Sequence, residues 1–371
     1  MASARSVSLS AALQTSIVLC QRFAASLAPN SSFEVPPSDS TAPSPLVLLH
    51  AAATTLRAQV TKLSLLAITA PFTPTAVTTC LLPLNESILT SLVTAALLTT
   101  PDKTIPSFSA ECRNLAATAL RDMQTLLRLL EARSQTEKPA AELGEREKSG
   151  FTEATGKVWD DCDKLIPLAA EGVPGYVVRK SNQWLDLMKD AVKELEDWDP
   201  EDDIDEHDPF GINHSDHDDS DNTNDNDNER NTDRAAISAG VKEQALKVLN
   251  RIPQSIHVVI KQRLEKIPTD TVKTASQMSQ MDTALKRIRH VSELIDESAE
   301  GMYLGDLELC LKKAGEARAL TIEVVESVLQ PISELSATTT AAVETKEDRY
   351  IHRALQWIRQ VDPGGYSRKP T

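Results

Sequence analysis

Aromatic residues make up only 4% of this 371-residue chain, and glycine occurs just 12 times. Strand-rich folds draw on aromatic and β-branched side chains and on glycine-rich turns, so this scarcity argues against a β-sheet architecture. The five cysteines, Cys20, Cys80, Cys112, Cys162 and Cys310, are scattered and form no C-x-x-C pair. That pattern excludes a zinc ribbon or disulfide framework and fits a reducing compartment. No uninterrupted apolar run approaches about 18 residues, so no membrane partner or span is expected. Basic residues number 39 against 54 acidic. With neither a basic surface nor abundant rings for stacking, direct nucleic-acid binding is not expected. G-x-S-x-G, H-E-x-x-H and Rossmann fingerprints are missing too, which points away from the common enzyme classes.

What remains is a chain rich in alanine and leucine, a composition suited to helices packed through small aliphatic side chains. Its length suggests two domains. The net charge of −15 is concentrated: residues 194–229 hold 17 Asp and Glu and no Lys or Arg, leaving 37 acidic against 39 basic residues elsewhere. So dense a charge, with few apolar residues to offset backbone ordering, predicts a disordered linker over 198–234. The expectation is an all-α protein of two antiparallel helical bundles, residues 1–197 and 235–362, joined by that linker.

Helical segments are expected near 46–68, 75–99 and 108–132. In the third, Leu115, Ala119, Met123, Leu126, Leu127 and Leu130 form one apolar stripe. Residues 133–150 carry Pro139 and two glycines without a stripe, and predict an exposed connection. A helix beyond them puts Trp184, Leu185, Met188, Ala191, Val192 and Leu195 on one side, with Ser181 as its N-cap. About five more follow the linker, marked by Ile237, Val241, Ala245 and Val248, by Leu285, Ile288, Val291 and Ile295, and by Leu307, Leu311 and Val325. A last helix is expected over Ile332–Val361. The N-terminus admits two readings. Arg5 and Arg22 among serines, with no acidic residue before Glu34, have the profile of a mitochondrial transit peptide over residues 1–28. Leu13, Ile17, Cys20, Ala24 and Leu27 recur as in the first helix of a bundle.

The most tempting chemical motif is VWDDCDKL, residues 158–165. Helical spacing puts Val158, Trp159, Cys162, Leu165, Ile166 and Ala169 on one face. Asp160, Asp161 and Asp163 then face water, with Asp160 able to pair with Lys164. Gly150 to Val158 falls short of a phosphate loop. Five residues separate its glycines where four are required, and Val158 stands where a Ser or Thr would reach magnesium. His290 and Glu293 are a lone pair in the wrong order for a helical metal site. His207, His214 and His217 lie in the acidic linker without the pattern of a calcium loop. No catalytic, cofactor-binding or metal-binding residue is therefore expected.

Thr155-Gly-Lys-Val-Trp-Asp-Asp-Cys162, followed by Trp184-Leu-Asp-Leu-Met-Lys-Asp-Ala191 and Glu194-Leu-Glu196, resembles the cyclin-D-binding family, also called the Grap- and cyclin-D-interacting or GCIP-type proteins. Gly156, Val158, Trp159, Cys162, Trp184, Met188 and Ala191 carry that resemblance as structural positions. It implies a two-part helical protein without catalysis or cofactor, acting in cytoplasm and nucleus. Its implied partners are helical regulatory proteins of cyclin or helix-loop-helix type, through which it would restrain the cell cycle or transcription. It also implies bundles of the vinculin and α-catenin kind, whose scaffold role is the alternative function.

Overall fold

The structure is a computed structural model that describes residues 8–29, 31, 44–136, 141–199, 224–268, 274–330, 332 and 345–362, with the backbone alone for 224–235. Every regular element among these residues is a helix. The chain divides into two compact units, Met1–Tyr176 and Val177–Thr371.

The first unit contains α1 (Leu9–Ser26), α2 (Pro45–Ile68), α3 (Pro74–Pro83), α4 (Leu89–Leu98), α5 (Pro106–Ser134) and the beginning of α6 (Glu145–Asp197). Proline opens α2, α3 and α5 at a position whose missing N–H has no intrahelical partner to lose. Ser8 caps α1 by accepting from the Ala11 amide. The stripe expected at the N-terminus is realised as a bundle helix: Leu13, Ile17, Cys20, Ala24 and Leu27 are all buried, and α1 packs on α5 and α3. Leu49, Leu56 and Leu63 of α2 and Met123, Leu126, Leu127 and Leu130 of α5 complete the core. Fully burying a leucine contributes about 1.5–3 kcal/mol, so these stripes dominate the unit's stability.

The segment expected as one helix over 75–99 is interrupted. Pro83 removes a donor, and the backbone widens into a π turn at Leu84–Ile88 between α3 and α4. The turn directs Asn85 at α1, where Ser16 donates to Asn85 Oδ1 (2.6 Å) and Asn85 Nδ2 donates to the Ala12 carbonyl (3.2 Å). Pro74–Leu98 is long and apolar enough to cross a membrane, but half of its most apolar window is buried in the unit, as in a core helix. It escapes an uninterrupted-run criterion because Thr, Pro, Asn and Glu punctuate it.

Residues 133–150 are not simply an exposed connection. Arg133 is buried, donates to the carbonyls of Ala67 and Ala141, and lies over the Phe72 ring at 5.1 Å. A lone arginine carries no periodic signal. Its burial depends on free carbonyls at the end of α2, which is a tertiary fact. α6 begins at Glu145 and runs to Asp197 with one break at Gly172, whose φ of 63° suits a residue without a side chain. Pro174 follows two residues later, where the helix cannot supply a regular hydrogen bond.

The compact units part at Tyr176, inside α6, whereas the sequence reading kept all of residues 1–197 together. The end of α6 counts with the second unit because Lys242 donates to the carbonyls of Glu196 and Trp198, and Trp198 meets Tyr303 edge-on at 5.6 Å. Ser181 is not an N-cap but a buried position within α6. Helical backbone already existed upstream, so no free N–H awaited a cap there.

The other helices of the second unit are α7 (Asn224–Leu249), α8 (Arg251–Gln262), α9 (Ala275–Tyr303), α10 (Leu307–Ser327) and α11 (Lys346–Arg359). Of the expected linker, residues 200–223 lie outside the described residues, and α7 starts inside it at Asn224. Charge repulsion opposes compaction, but a helix is held by local hydrogen bonds and needs none. Ile237, expected in the α7 stripe, is half exposed, while Val241, Ala245 and Val248 are buried. The last helix is shorter than expected: α11 starts at Lys346 behind a capping box of Thr345 and Asp348, and residues 333–344 lie outside the described residues. Thr274 and Gln277 form a second capping box at α9.

α9 and α10 form the most extensive helix pair in the unit. Gly305, at φ 73°, turns the chain between them. Gly301 lets the α10 backbone approach so closely that a Cβ there would sit 2.9 Å from the Cys310 amide nitrogen. Arg263, buried just after α8, ties three elements together. It donates to the carbonyls of Val328 (2.8 Å) and Leu329 (3.0 Å) and pairs with Asp348 at 2.6 Å.

Candidate functional site

The VWDDCDKL stretch lies on α6 in the first unit, against α2 and α5. Thr155 donates to Ser64 of α2 in a buried contact at 2.9 Å. Phe108 of α5 meets Tyr176 edge-on at 5.4 Å. Arg57 of α2 donates from Nε and Nη2 to the two carboxylate oxygens of Asp163, at 2.7 and 3.2 Å, and its guanidinium lies 5.5 Å from the Trp159 ring. Both partners of that ion pair are well exposed, so it orients the surface more than it stabilises it. Lys164 pairs with Asp160 one turn away, as the spacing predicts.

The expectation that all three aspartates face water fails at Asp161. It is 4% exposed, and its Oδ2 has no hydrogen-bond partner among the described residues. Burial pushes its carboxyl up to about 7, and the charge and hydrogen bond of Asp122 on α5 push in the same direction, against the weaker pull of Lys164. The spacing argument treats α6 in isolation. α5 supplies a second carboxyl on the flank that would otherwise be solvent, and so closes it. Cys162 behaves as expected of an inward residue: burial, reinforced by Asp161 and Asp163, raises its thiol to about 12. Such a thiol stays protonated near neutrality and is a poor nucleophile.

The seven motif residues divide between the units. In the first, Val158 and Cys162 are buried, Trp159 is half-buried with an unpartnered Nε1, and Gly156 is exposed. In the second, Met188 is buried, and Trp184 and Ala191 are half-buried. No group of three His, Cys, Asp or Glu side chains suited to a metal occurs among the described residues. His290 pairs only with Glu293 at the surface, at 3.3 Å.

Concave surfaces occur in the second unit on either side of α8. A groove of about 380 Å³ between α8 and α11 is lined by Val258, Tyr350, Arg353 and Trp357 among others. A second, of about 570 Å³, lies between the end of α6 and α8, with Lys189, Lys193, Glu196 and His257 on its walls. Trp357 falls within the last helix expected over Ile332–Val361, with nothing there to mark it as part of a groove. The usable signal was its seven-residue spacing from exposed Tyr350, with Arg353 between them.

Helices α2 to α6, which carry the protonated Cys162 thiol and the ion-paired Asp160 and Asp163, also carry a family match. A family profile described as Grap2 and cyclin-D-interacting, N-terminal, matches residues 48–201. Residues 48–201 are thus similar to the N-terminal region of the GCIP-type family. An uncharacterized protein of Schizosaccharomyces pombe is 29% identical over 161 residues, which cover 43% of this chain and 46% of that relative. The chain therefore matches about half the length of the curated relative. The GCIP-type region takes in most of the first unit together with the Val177–Asp197 stretch of α6, and ends before α7.

Proposed function

We propose that the chain is a non-enzymatic adaptor whose GCIP-type region engages helical regulatory proteins of cyclin or helix-loop-helix type, and so restrains cell-cycle progression or transcription in cytoplasm and nucleus. The observation that carries this reading is the family match over residues 48–201. The side chains there support it. Cys112 and Cys162 are both raised to about 12 by burial, and the exposed carboxylates Asp160 and Asp163 are held in ion pairs. Such a surface suits association with another protein better than bond-making chemistry.

The test is size-exclusion chromatography with light scattering on the full chain mixed with a D-type cyclin, Grap2, or a helix-loop-helix dimer. A stoichiometric complex with one of them is the expected result. The reading is overturned if none binds and the chain instead co-sediments with actin filaments, as a vinculin-type scaffold would, or turns over a small metabolite.

A further inference from the structure

The groove between α8 and α11 lies outside the family-matched residues, so what it binds is a separate question. On α11, Tyr350, Ala354 and Trp357 recur at steps of four and three, and Arg353, Gln356 and Gln360 at steps of three and four, so one helix face carries two aromatics flanked by amides and a cation. Arg251 at the start of α8 holds Trp357 in place: it donates to the Trp357 carbonyl (2.7 Å) and its guanidinium lies 5.0 Å from the indole. None of the residues lining this groove is acidic, in a chain of net charge −15. Arg353 is exposed and forms no ion pair with any described residue, so its charge is free for a ligand.

Gln254 and Val258, one turn apart on α8, line this groove and also the second one beside α6. They form a low ridge with a trough on each side. The troughs carry Arg353 on one hand and Lys193, His257 and Lys189, the last already paired with Asp186 at 3.0 Å, on the other, with Glu196 the one carboxylate on the walls. A surface of parallel helices and troughs is complementary to the ridges of another helix, and aromatic plus arginine anchors are what tight interfaces use.

We propose that this face of the second unit docks an amphipathic helix of a partner protein, its apolar side chains seated against Tyr350, Val258 and Trp357 and a flanking carboxylate paired with Arg353. A dense polyanion such as a nucleic acid or an anionic bilayer is opposed by the chain's overall negative charge. A helix with a few carboxylates feels mainly the local cations, because charges beyond about 8 Å are screened at physiological salt.

The experiment titrates the full chain into a fluorescein-labelled helical peptide with leucines on one face and glutamates flanking them, read by anisotropy. A counterpart with lysine at every glutamate position serves as the reference. The glutamate peptide is expected to bind at least about tenfold more tightly than the lysine peptide. Arg353→Glu, at an exposed position that leaves the fold intact, should reverse that preference. Trp357→Ala should weaken both peptides, and Trp357→Phe should restore most of the binding. The proposal is overturned if the two peptides bind alike, if Arg353→Glu leaves the preference unchanged, or if phosphatidylserine vesicles bind the chain and are lost in the same variants. Failure of the cyclin, Grap2 and helix-loop-helix mixtures would leave these outcomes untouched.

Discussion

The two units each place a carboxyl at a helix contact, Asp161 buried and Asp348 half-buried, but with opposite partners. In the first, Asp161 of α6 lies beside Asp122 of α5, and burial raises it to about 7. In the second, burial opposes ionisation of Asp348, but hydrogen bonds from Thr345 and Arg263 prevail and hold it below the usual carboxylate range. pH therefore acts on them in opposite senses. Folded Asp161 keeps its proton to about 7, whereas the unfolded chain releases it near 3.8. The stability it confers is full below 3.8 and lost as pH rises through about 7. Asp348 contributes above the unfolded value, and that contribution is lost as pH falls through its lowered folded value.

Breaking the second unit's pairing gives the largest expected effect. Arg263→Ala takes the charged donor from Asp348 and the only side-chain donor from the Val328 and Leu329 carbonyls among the described residues, and should cost about 3–5 kcal/mol. Hydrogen exchange of the full chain should then speed up in α8, α10 and α11 while α2 and α5 keep their protection; equal loss in both units would mean the damage is not local. Next is Gly301→Ala, whose new methyl meets the α10 backbone rather than a movable side chain, at an expected cost of about 1–3 kcal/mol.

Asp161→Asn sharpens the comparison directly. The amide imitates the neutral acid, so the variant should melt several degrees higher than the parent at pH 8 and near the parent's value at pH 4. Equal shifts at both pH values would mean that Asp161 is ionised alike in the folded and unfolded chains. Gly156→Ala should raise stability by about 0.5–1 kcal/mol, because the position is helical and exposed and an added Cβ meets nothing within 4 Å. The smallest effect is expected of Asp160→Ala, which removes only an exposed pair with Lys164 and should leave the melting temperature within error.

Much of the fold was legible because helical burial repeats every three or four residues. The stripes of α1, α5 and α9 were read from spacing alone, and so was the inward direction of Cys162. The misreadings share a cause. Asp161 follows a charged pattern along α6, yet α5 covers it. Arg133 sits in a charged stretch, yet the end of α2 offers it a carbonyl. Trp159 belongs to the apolar face but remains half-buried under Arg57, a residue whose place beside it no local pattern records.

Composition and periodicity by themselves established that this chain is helical, which faces turn inward, and which neighbouring charges pair along one helix, since each of those rests on contacts within about four residues. Tertiary structure alone settled the burial of Asp161 beside Asp122, the reach of Arg133 and Arg263 to distant carbonyls, and the troughs beside α8. These depend on which helix lies against which, and two groups far apart in the chain acquire a common environment only when the backbone brings them there.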